Sequence, residues 1–294
     1  MSTTLFIGLG RMGAPMAALH ARAFPTTVWD LSAEAVRRVC EDSRAKAITS
    51  LSAIPAEVDT VILMLPSSRQ VEEILIGKDG VIDRLGEGCL IIDMSSSEPE
   101  STRALAERAA QVSIDYVDAP VSGGVPKART GELSILVGGS TESVERALPH
   151  LEVMGTTIIH VGDAGAGDAA KAINNLVSAS NIAVACEALT TAQGFGIDPA
   201  KMTEVLNSAT GRSQASELKV TKYILPRTFS SGFAYDLMLK DMTIAVGLAK
   251  SLETPVTTSV FTKLSEGRSV LGDHPDHTEI SRLYGIGREE NSQN

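Results

Sequence analysis

Residues 5–13 read Leu5-Phe6-Ile7-Gly8-Leu9-Gly10-Arg11-Met12-Gly13, an apolar run that passes straight into a G-x-G-x-x-G pattern. The run predicts a strand, and Arg11 to Arg22, with Met12, Met16 and Leu19 on one side, predicts the helix that follows. In that context each glycine has a task. Gly8 allows a tight turn, Gly10 lets the backbone approach a pyrophosphate, and Gly13 lets helix and strand pack closely. The N–H groups at the helix start then face the phosphates. Thr27-Val28-Trp29 predicts a second strand, and Asp30 stands at its end, twenty residues beyond Gly10. A carboxylate there accepts hydrogen bonds from both adenosine ribose hydroxyls and repels a 2′-phosphate. Leu31 and Ser32 follow it rather than an arginine, so the expected cofactor is NAD rather than NADP. A glycine-rich turn with an incidental aspartate is the bland alternative, and strand, helix and spacing together speak against it.

Outward from this stretch, strand and helix alternate for about 160 residues. Ser32 caps a helix that turns Val36 and Val39 inward. Val61 to Leu65 and Leu90-Ile91-Ile92 are near-continuous apolar runs, as in a parallel sheet covered on both faces. A helix is expected from about Glu98 to Val112, then strands at Tyr116-Val117, Leu133 to Val137 and Thr157 to Val161, with a helix from Thr141 to Met154 between the last two. This is the pattern of an α/β, Rossmann-type, doubly wound parallel sheet. From Gly167 to Gly194 the chain becomes helical, and Ile173, Leu176, Val177, Ile182, Val184, Ala185 and Leu189 cover most of the circumference, which predicts burial among other helices. Asp198-Pro199 starts a further helix as N-cap and first residue, with Met202, Val205 and Leu206 inward, and helices follow from about Ser216, Leu237 and Thr257. The expected organisation is a dinucleotide-binding domain over residues 1–163 and an all-α domain for substrate and oligomerisation over residues 164–294, joined by a long helix. The tail from Arg288 to Asn294 reads as loose.

Of the 294 residues, 43 % are hydrophobic and 21 % charged, an ordinary globular composition. Lys plus Arg number 26 against 36 Asp plus Glu, a formal net charge of −10, so nucleic acid and anionic membrane are not expected partners. No window resembles a membrane span or a cleavable leader. The odd, scattered Cys40, Cys89 and Cys186 point to reduced thiols and the cytoplasm. The five histidines show no ligand spacing, and no metal site is expected.

Further candidates lie at the predicted strand ends. Leu65, Pro66, Ser95 and Ser96 sit where the crevice of such a sheet opens; ordinary turns are the alternative. In Asp118-Ala119-Pro120-Val121-Ser122-Gly123-Gly124, the N–H groups and hydroxyl around Ser122, Gly123 and Gly124 suit a substrate carboxylate, with a tight turn nearly as good a reading. Lys171 stands near the start of the long helix and Asn175 four residues later, on the same face. A lysine in a partly desolvated cleft exchanges a proton with an alcohol or carbonyl near neutral pH; a snorkelling surface lysine is the alternative. Lys240-Asp241 reads locally as a solvated stripe, or Lys240 reaches back to the site.

The segments GLGRMGAPM, DAPVSGG, GELSILVGG, GAGDAAKAINN and LMLKDMTIAV, in this order and spacing, resemble the β-hydroxyacid dehydrogenase family, most closely 3-hydroxyisobutyrate dehydrogenases, from Leu5 to about Leu283. The resemblance implies that Gly8, Leu9, Gly10, Arg11, Met12, Gly13, Asp30, Leu65, Pro66 and Ser96 line NAD. It implies that Ser122, Gly123 and Gly124 hold the substrate carboxylate, that Lys171 is the acid/base with Asn175 on the same oxygen, and that Lys240 approaches the nicotinamide. It also implies a homodimer or homotetramer through the second domain. Lys127-Ala128 and Glu132 depart from the family's usual Gly-Ala and Gly-Thr-Leu. Lys127 and Arg129 add positive charge near the SGG turn, which leaves open a substrate with extra negative charge. The implied reaction is oxidation of a small 3-hydroxy acid to its semialdehyde. Reduction of an aldehyde acid such as tartronate or sulfolactaldehyde semialdehyde, or a silent NAD-binding module, are the alternatives.

Overall fold

Strand β1 (Thr4–Ile7) lies between β2 (Thr26–Trp29) and β4 (Thr60–Leu63), parallel to both, and β2 in turn carries the two-residue β3 (Lys46–Ala47). Beyond β4 come β5 (Leu90–Asp93) and β6 (Asp115–Asp118), also parallel. The sheet continues with β8 (Leu133–Gly138), which is antiparallel to β6 and to the short β7 (Val121–Ser122) and parallel to β9 (Gly155–Gly162). The order β3-β2-β1-β4-β5-β6-β8-β7 reverses direction between β1 and β4, and a crevice opens beyond the carboxyl ends of strands at such a point. These features belong to a computed structural model that describes residues 3–286; the tail expected to be loose, from Arg288 on, lies outside them.

The double winding follows from the two-residue period of a strand. Phe6, Val28, Ile62, Ile92 and Val117 point to one face, where they pack with Met16 and Ala17 of α1 (Gly13–Ala23) and Val144 and Ala147 of α6 (Thr141–Leu151). Their neighbours Leu5, Ile7, Val61, Leu63, Ile91 and Tyr116 point to the other. There they meet Val71 and Leu75 of α3 (Ser68–Ile76) and Leu105 of α4 (Pro99–Ala110). Helix α2 (Ala33–Asp42) is capped as expected, Ser32 Oγ accepting from the Ala35 N–H.

Some expectations are corrected. The sheet is not parallel throughout, because β8 runs against β6 and β7. The glycines after Ser122 are more than a tight turn: they open a seven-residue helix, α5 (Gly124–Thr130). The helix after β1 begins at Gly13, so Arg11 and Met12 belong to the turn before it.

The chain divides into two compact units, the first ending at Lys171 and the second beginning at Ala172; the division falls inside the 30-residue helix α7 (Ala166–Phe195). The second unit is helical, with α8 (Pro199–Ser208), a π-helical segment (Ala215–Ile224), α9 (Tyr235–Leu248), α10 (Pro255–Arg268) and a 3₁₀ stretch (His277–Tyr284). Asp198 caps α8 by accepting from the Ala200 and Lys201 N–H groups. Ala179, Ile182, Cys186 and Leu189 of α7 pack with Tyr235, Met238 and Met242 of α9 and Leu264 of α10, and the Tyr235 hydroxyl donates to the Leu264 carbonyl. Contrary to expectation, α7 is not buried all round. Ile173, Val177 and Val184 are exposed along the opposite side of the helix, and Val205 of α8 is exposed as well.

Candidate active site

The glycine turn between β1 and α1 takes its shape from two steric demands and one open space. Gly8 has φ +97°, and a Cβ there would lie 2.3 Å from the Met64 carbonyl oxygen. A Cβ on Gly13 would lie 2.0 Å from the Gly8 carbonyl oxygen, so only glycine lets α1 start this close to the strand end. At Gly10 a Cβ would meet nothing within 4 Å. The space over Gly10 is therefore open, as a bound pyrophosphate requires, and α1 has no acidic residue in its first turn and no side-chain cap from Met12. A dinucleotide phosphate group fits these residues.

Asp30, at the end of β2, is fixed by two backbone donors. Its Oδ2 accepts from the Leu9 N–H at 2.6 Å and its Oδ1 from the Ser32 N–H at 2.7 Å. One carboxylate thus holds the glycine turn from one side and the start of the Ser32 loop from the other. The other wall comes from β4 and β5: the Leu65 N–H donates to Ser95 Oγ at 2.9 Å, joining the loop that carries Leu65 and Pro66 to the loop that carries Ser96. Sequence placed these loops near each other only in general terms; this hydrogen bond joins them.

Ser122 ends β7, and Gly123 and Gly124 follow at φ +134° and +69°. The Lys127 side chain lies against this turn: a Cβ on Gly123 would stand 2.7 Å from Lys127 Cδ.

Lys171 is buried, 8 % exposed, in the second turn of α7. Asn175, one helical turn on, is also buried. Within the second unit the Asn175 amide donates to Asp241 Oδ2 of α9, and Lys240 Nζ lies 3.5 Å from the other Asp241 oxygen. The solvated-stripe reading of Lys240-Asp241 is thereby corrected, since the Asp241 side chain is only 4 % exposed. Asp241 is a residue that the sequence left without a role, because it is 66 positions from its partner.

Beneath the ends of β5 and β6 lies a buried group of acids. Asp93 accepts from the Ser95 N–H and the Tyr116 hydroxyl. Asp118 accepts from the Gly165 and Asp168 N–H groups at 2.8 and 2.9 Å. Asp168 accepts from the Ser97 N–H at 2.9 Å and the Thr102 hydroxyl at 2.8 Å. Burial raises the pKa of all three, Asp168 well above the ordinary carboxylate value, with Asp93 and Asp118 adding to the rise. The Tyr116 phenol is pushed up by burial and then by Asp93.

Comparison with known proteins matches the chain in two parts. Residues 3–162 match the profile described as the NAD binding domain of 6-phosphogluconate dehydrogenase, and residues 165–284 the one described as NAD-binding of NADP-dependent 3-hydroxyisobutyrate dehydrogenase. The chain is 40 % identical over 269 residues to 2-(hydroxymethyl)glutarate dehydrogenase of Eubacterium barkeri, covering 91 % of this chain and 89 % of that one. It is 36 % identical over 295 residues to 3-hydroxyisobutyrate dehydrogenase of Pseudomonas aeruginosa, covering 97 % and 99 %. The solved 3-hydroxyisobutyrate dehydrogenase of Mycobacterium tuberculosis with L-serine is similar at TM-score 0.87 and 30 % identity, over 96 % of this chain and 99 % of that one.

Proposed function

The chain belongs to the β-hydroxyacid dehydrogenase family and is an NAD(P)-dependent enzyme acting on a small hydroxy acid, and from that premise we propose that it oxidises the primary alcohol of a 3-hydroxyisobutyrate-like acid to the semialdehyde with NAD. The observation that carries this reading is the buried Lys171 in α7, with Asn175 one turn along the same helix. When bound, the nicotinamide accepts the hydride. Lys171 takes the hydroxyl proton at Nζ and returns it in the reverse direction. Asn175, held by Asp241, offers its amide to the same oxygen. Ser122, Gly123 and Gly124 hold the substrate carboxylate. Gly8, Leu9, Gly10, Arg11, Met12 and Gly13, with Leu65, Pro66 and Ser96, line the dinucleotide, and Lys240 serves its nicotinamide end. Asp30 favours NAD, since a 2′-phosphate beside that carboxylate is repelled.

A second reading rests on Lys127, whose stem packs on Gly123: a substrate with a further anionic group, such as a dicarboxylic hydroxy acid. The relative named 2-(hydroxymethyl)glutarate dehydrogenase supports it. The proposed assembly is a homodimer or homotetramer through the second unit, supported by the exposed Ile173, Val177 and Val184. The proposed compartment is the cytoplasm, supported by the free Cys40, Cys89 and Cys186; among the described residues no helix is long and apolar enough to cross a membrane.

The test is kcat/KM over mono- and dicarboxylic 3-hydroxy acids and their semialdehydes, with NAD and NADP side by side. The reading expects a monocarboxylic 3-hydroxy acid to lead and NAD to be preferred by at least about tenfold, a difference of about 1.4 kcal/mol. Preference for NADP, or for a substrate without a carboxylate, overturns it.

A further inference from the structure

We propose that Asp168 and Asp118 are positioning residues for Lys171, fastening the first turn of α7 to the ends of β5 and β6. The inference rests on the role given to Lys171 above. Asp118, the last residue of β6, reaches across to the start of α7 and takes the Gly165 and Asp168 N–H groups on its two oxygens. Those are among the donors that a helix start leaves without an intrahelical partner. Asp168 then reaches back the other way, taking the Ser97 N–H beyond β5 and the Thr102 hydroxyl of α4. The turn is thus tied in both directions to the ends of β5 and β6, which lead into the loop with Ser96 and to Ser122 at the end of β7, with Lys171 three residues beyond Asp168. A Cβ on Gly167 would stand 2.6 Å from the Leu136 carbonyl oxygen and 2.8 Å from Asp118 Oδ2. Close backbone approach therefore fixes the same turn. Asp168 is 2 % exposed and Asp118 fully buried. Side chains buried this deeply act through the helix rather than by touching a substrate.

The ties divide the charge unequally. Asp118 has two backbone donors and the positive end of a 30-residue helix, so it is the carboxylate suited to hold a negative charge. Asp168 shares its pocket with Asp93, Asp118 and Tyr116, has Arg103 on the exposed side of α4 and Lys171 on its own helix, and burial, then Asp93 and Asp118, raise its pKa well above the ordinary carboxylate value. An amide of the same shape keeps an acceptor for the Ser97 N–H and sets its NH2 where Thr102 Oγ1 accepts once that hydroxyl turns round, so asparagine serves in its place.

The experiment compares Asp168→Ala, Asp168→Asn and Thr102→Val, with Lys171→Ala as reference. Steady-state kinetics are measured on the substrate found above, NAD affinity by titration, and amide hydrogen exchange over residues 166–171. Asp168→Ala is expected to lower kcat about 10- to 100-fold, as misplacement of a reacting group by about 1 Å does. NAD affinity stays within about threefold and exchange over 166–171 speeds up, while Asp168→Asn stays near wild type in all three. If Asp168→Ala does not fold, Thr102→Val carries the test, with a kcat loss of at least about threefold at unchanged NAD affinity. Wild-type kcat and exchange in Asp168→Ala, or in Thr102→Val where the alanine variant does not fold, overturn the proposal, and so does an Asp168→Asn protein as impaired as the alanine variant. If Lys171→Ala keeps its turnover, the acid/base reading fails, and the exchange measurement alone then decides whether Asp168 fastens the turn.

Discussion

Lys171, buried in the second turn of α7, is the residue on which the proposed activity turns. Replacing it by alanine is expected to lower kcat by about 10²- to 10⁴-fold with little change in NAD affinity, the range that general acid/base groups contribute. Stopped-flow hydride transfer and NAD titration on the same preparation check both halves, and near-normal turnover would remove the assigned role. Residues whose chemistry depends on close spacing could be read from the sequence. The glycine turn, Asp30, and the Lys171-Asn175 pair each depend on separations of about one helical turn or one βα unit. Asp241, Asp118 and Asp168 could not, because their partners lie 66, 47 and 71 positions away and only the folded chain brings them together.

At the scale of elements, the junction of β1 and α1 is the most constrained place in the first unit. Gly13→Ala puts a methyl group 2.0 Å from the Gly8 carbonyl, so helix and strand must separate. The expected cost is about 1–3 kcal/mol of stability, together with weaker NAD binding. Thermal unfolding and an NAD titration test this, and a variant matching wild type in both would show that the junction can give. Long elements were legible because their periodicity accumulates over several turns. The strands β3 and β7, two residues each, are too short to show alternation, and α5 was hidden by its glycines and Pro126. The direction of β8 was invisible for another reason: an inward-facing strand has the same apolar pattern whichever way it runs. The exposed side of α7 carries the same lesson, because apolar residues all round a helix do not say which of its faces the same chain covers.

For the molecule as a whole, acid and association are the informative variables. His20 Nε2 and His150 Nδ1 are 3.0 Å apart in the interior of the first unit, stacked with Phe24, and His20 Nδ1 is 2.9 Å from Thr26 Oγ1. Burial, and then His150, lowers the His20 pKa to about 3, and burial lowers that of His150 while Asp59 opposes the shift. The unfolded chain, with histidines near 6.5, binds more protons than the folded one below that pH. The contribution of the histidine pair is therefore complete above about pH 6.5 and declines as pH falls toward 3, by on the order of a few kcal/mol, while Asp93, Asp118 and Asp168, with raised pKa values, contribute in the opposite direction. Denaturant unfolding between pH 7 and 5 should show wild type losing stability relative to His20→Gln as the pH falls; a constant difference between the two would place the effect elsewhere. Association is tested by light scattering. Val177→Glu, at the centre of the exposed α7 stripe, is expected to shift the assembly toward monomer, and an unchanged mass would move the interface to another surface.

Under the proposed preference for NAD, Asp30 has two uses, and that limits any redesign for a phosphorylated dinucleotide. The obvious route, exchanging the acid for a small neutral residue, also removes the acceptor that the Leu9 and Ser32 amides share, so recognition and loop architecture would fail together. Leu31 is 91 % exposed next to it. A cationic side chain introduced there could recruit the extra phosphate and leave the anchoring carboxylate in place.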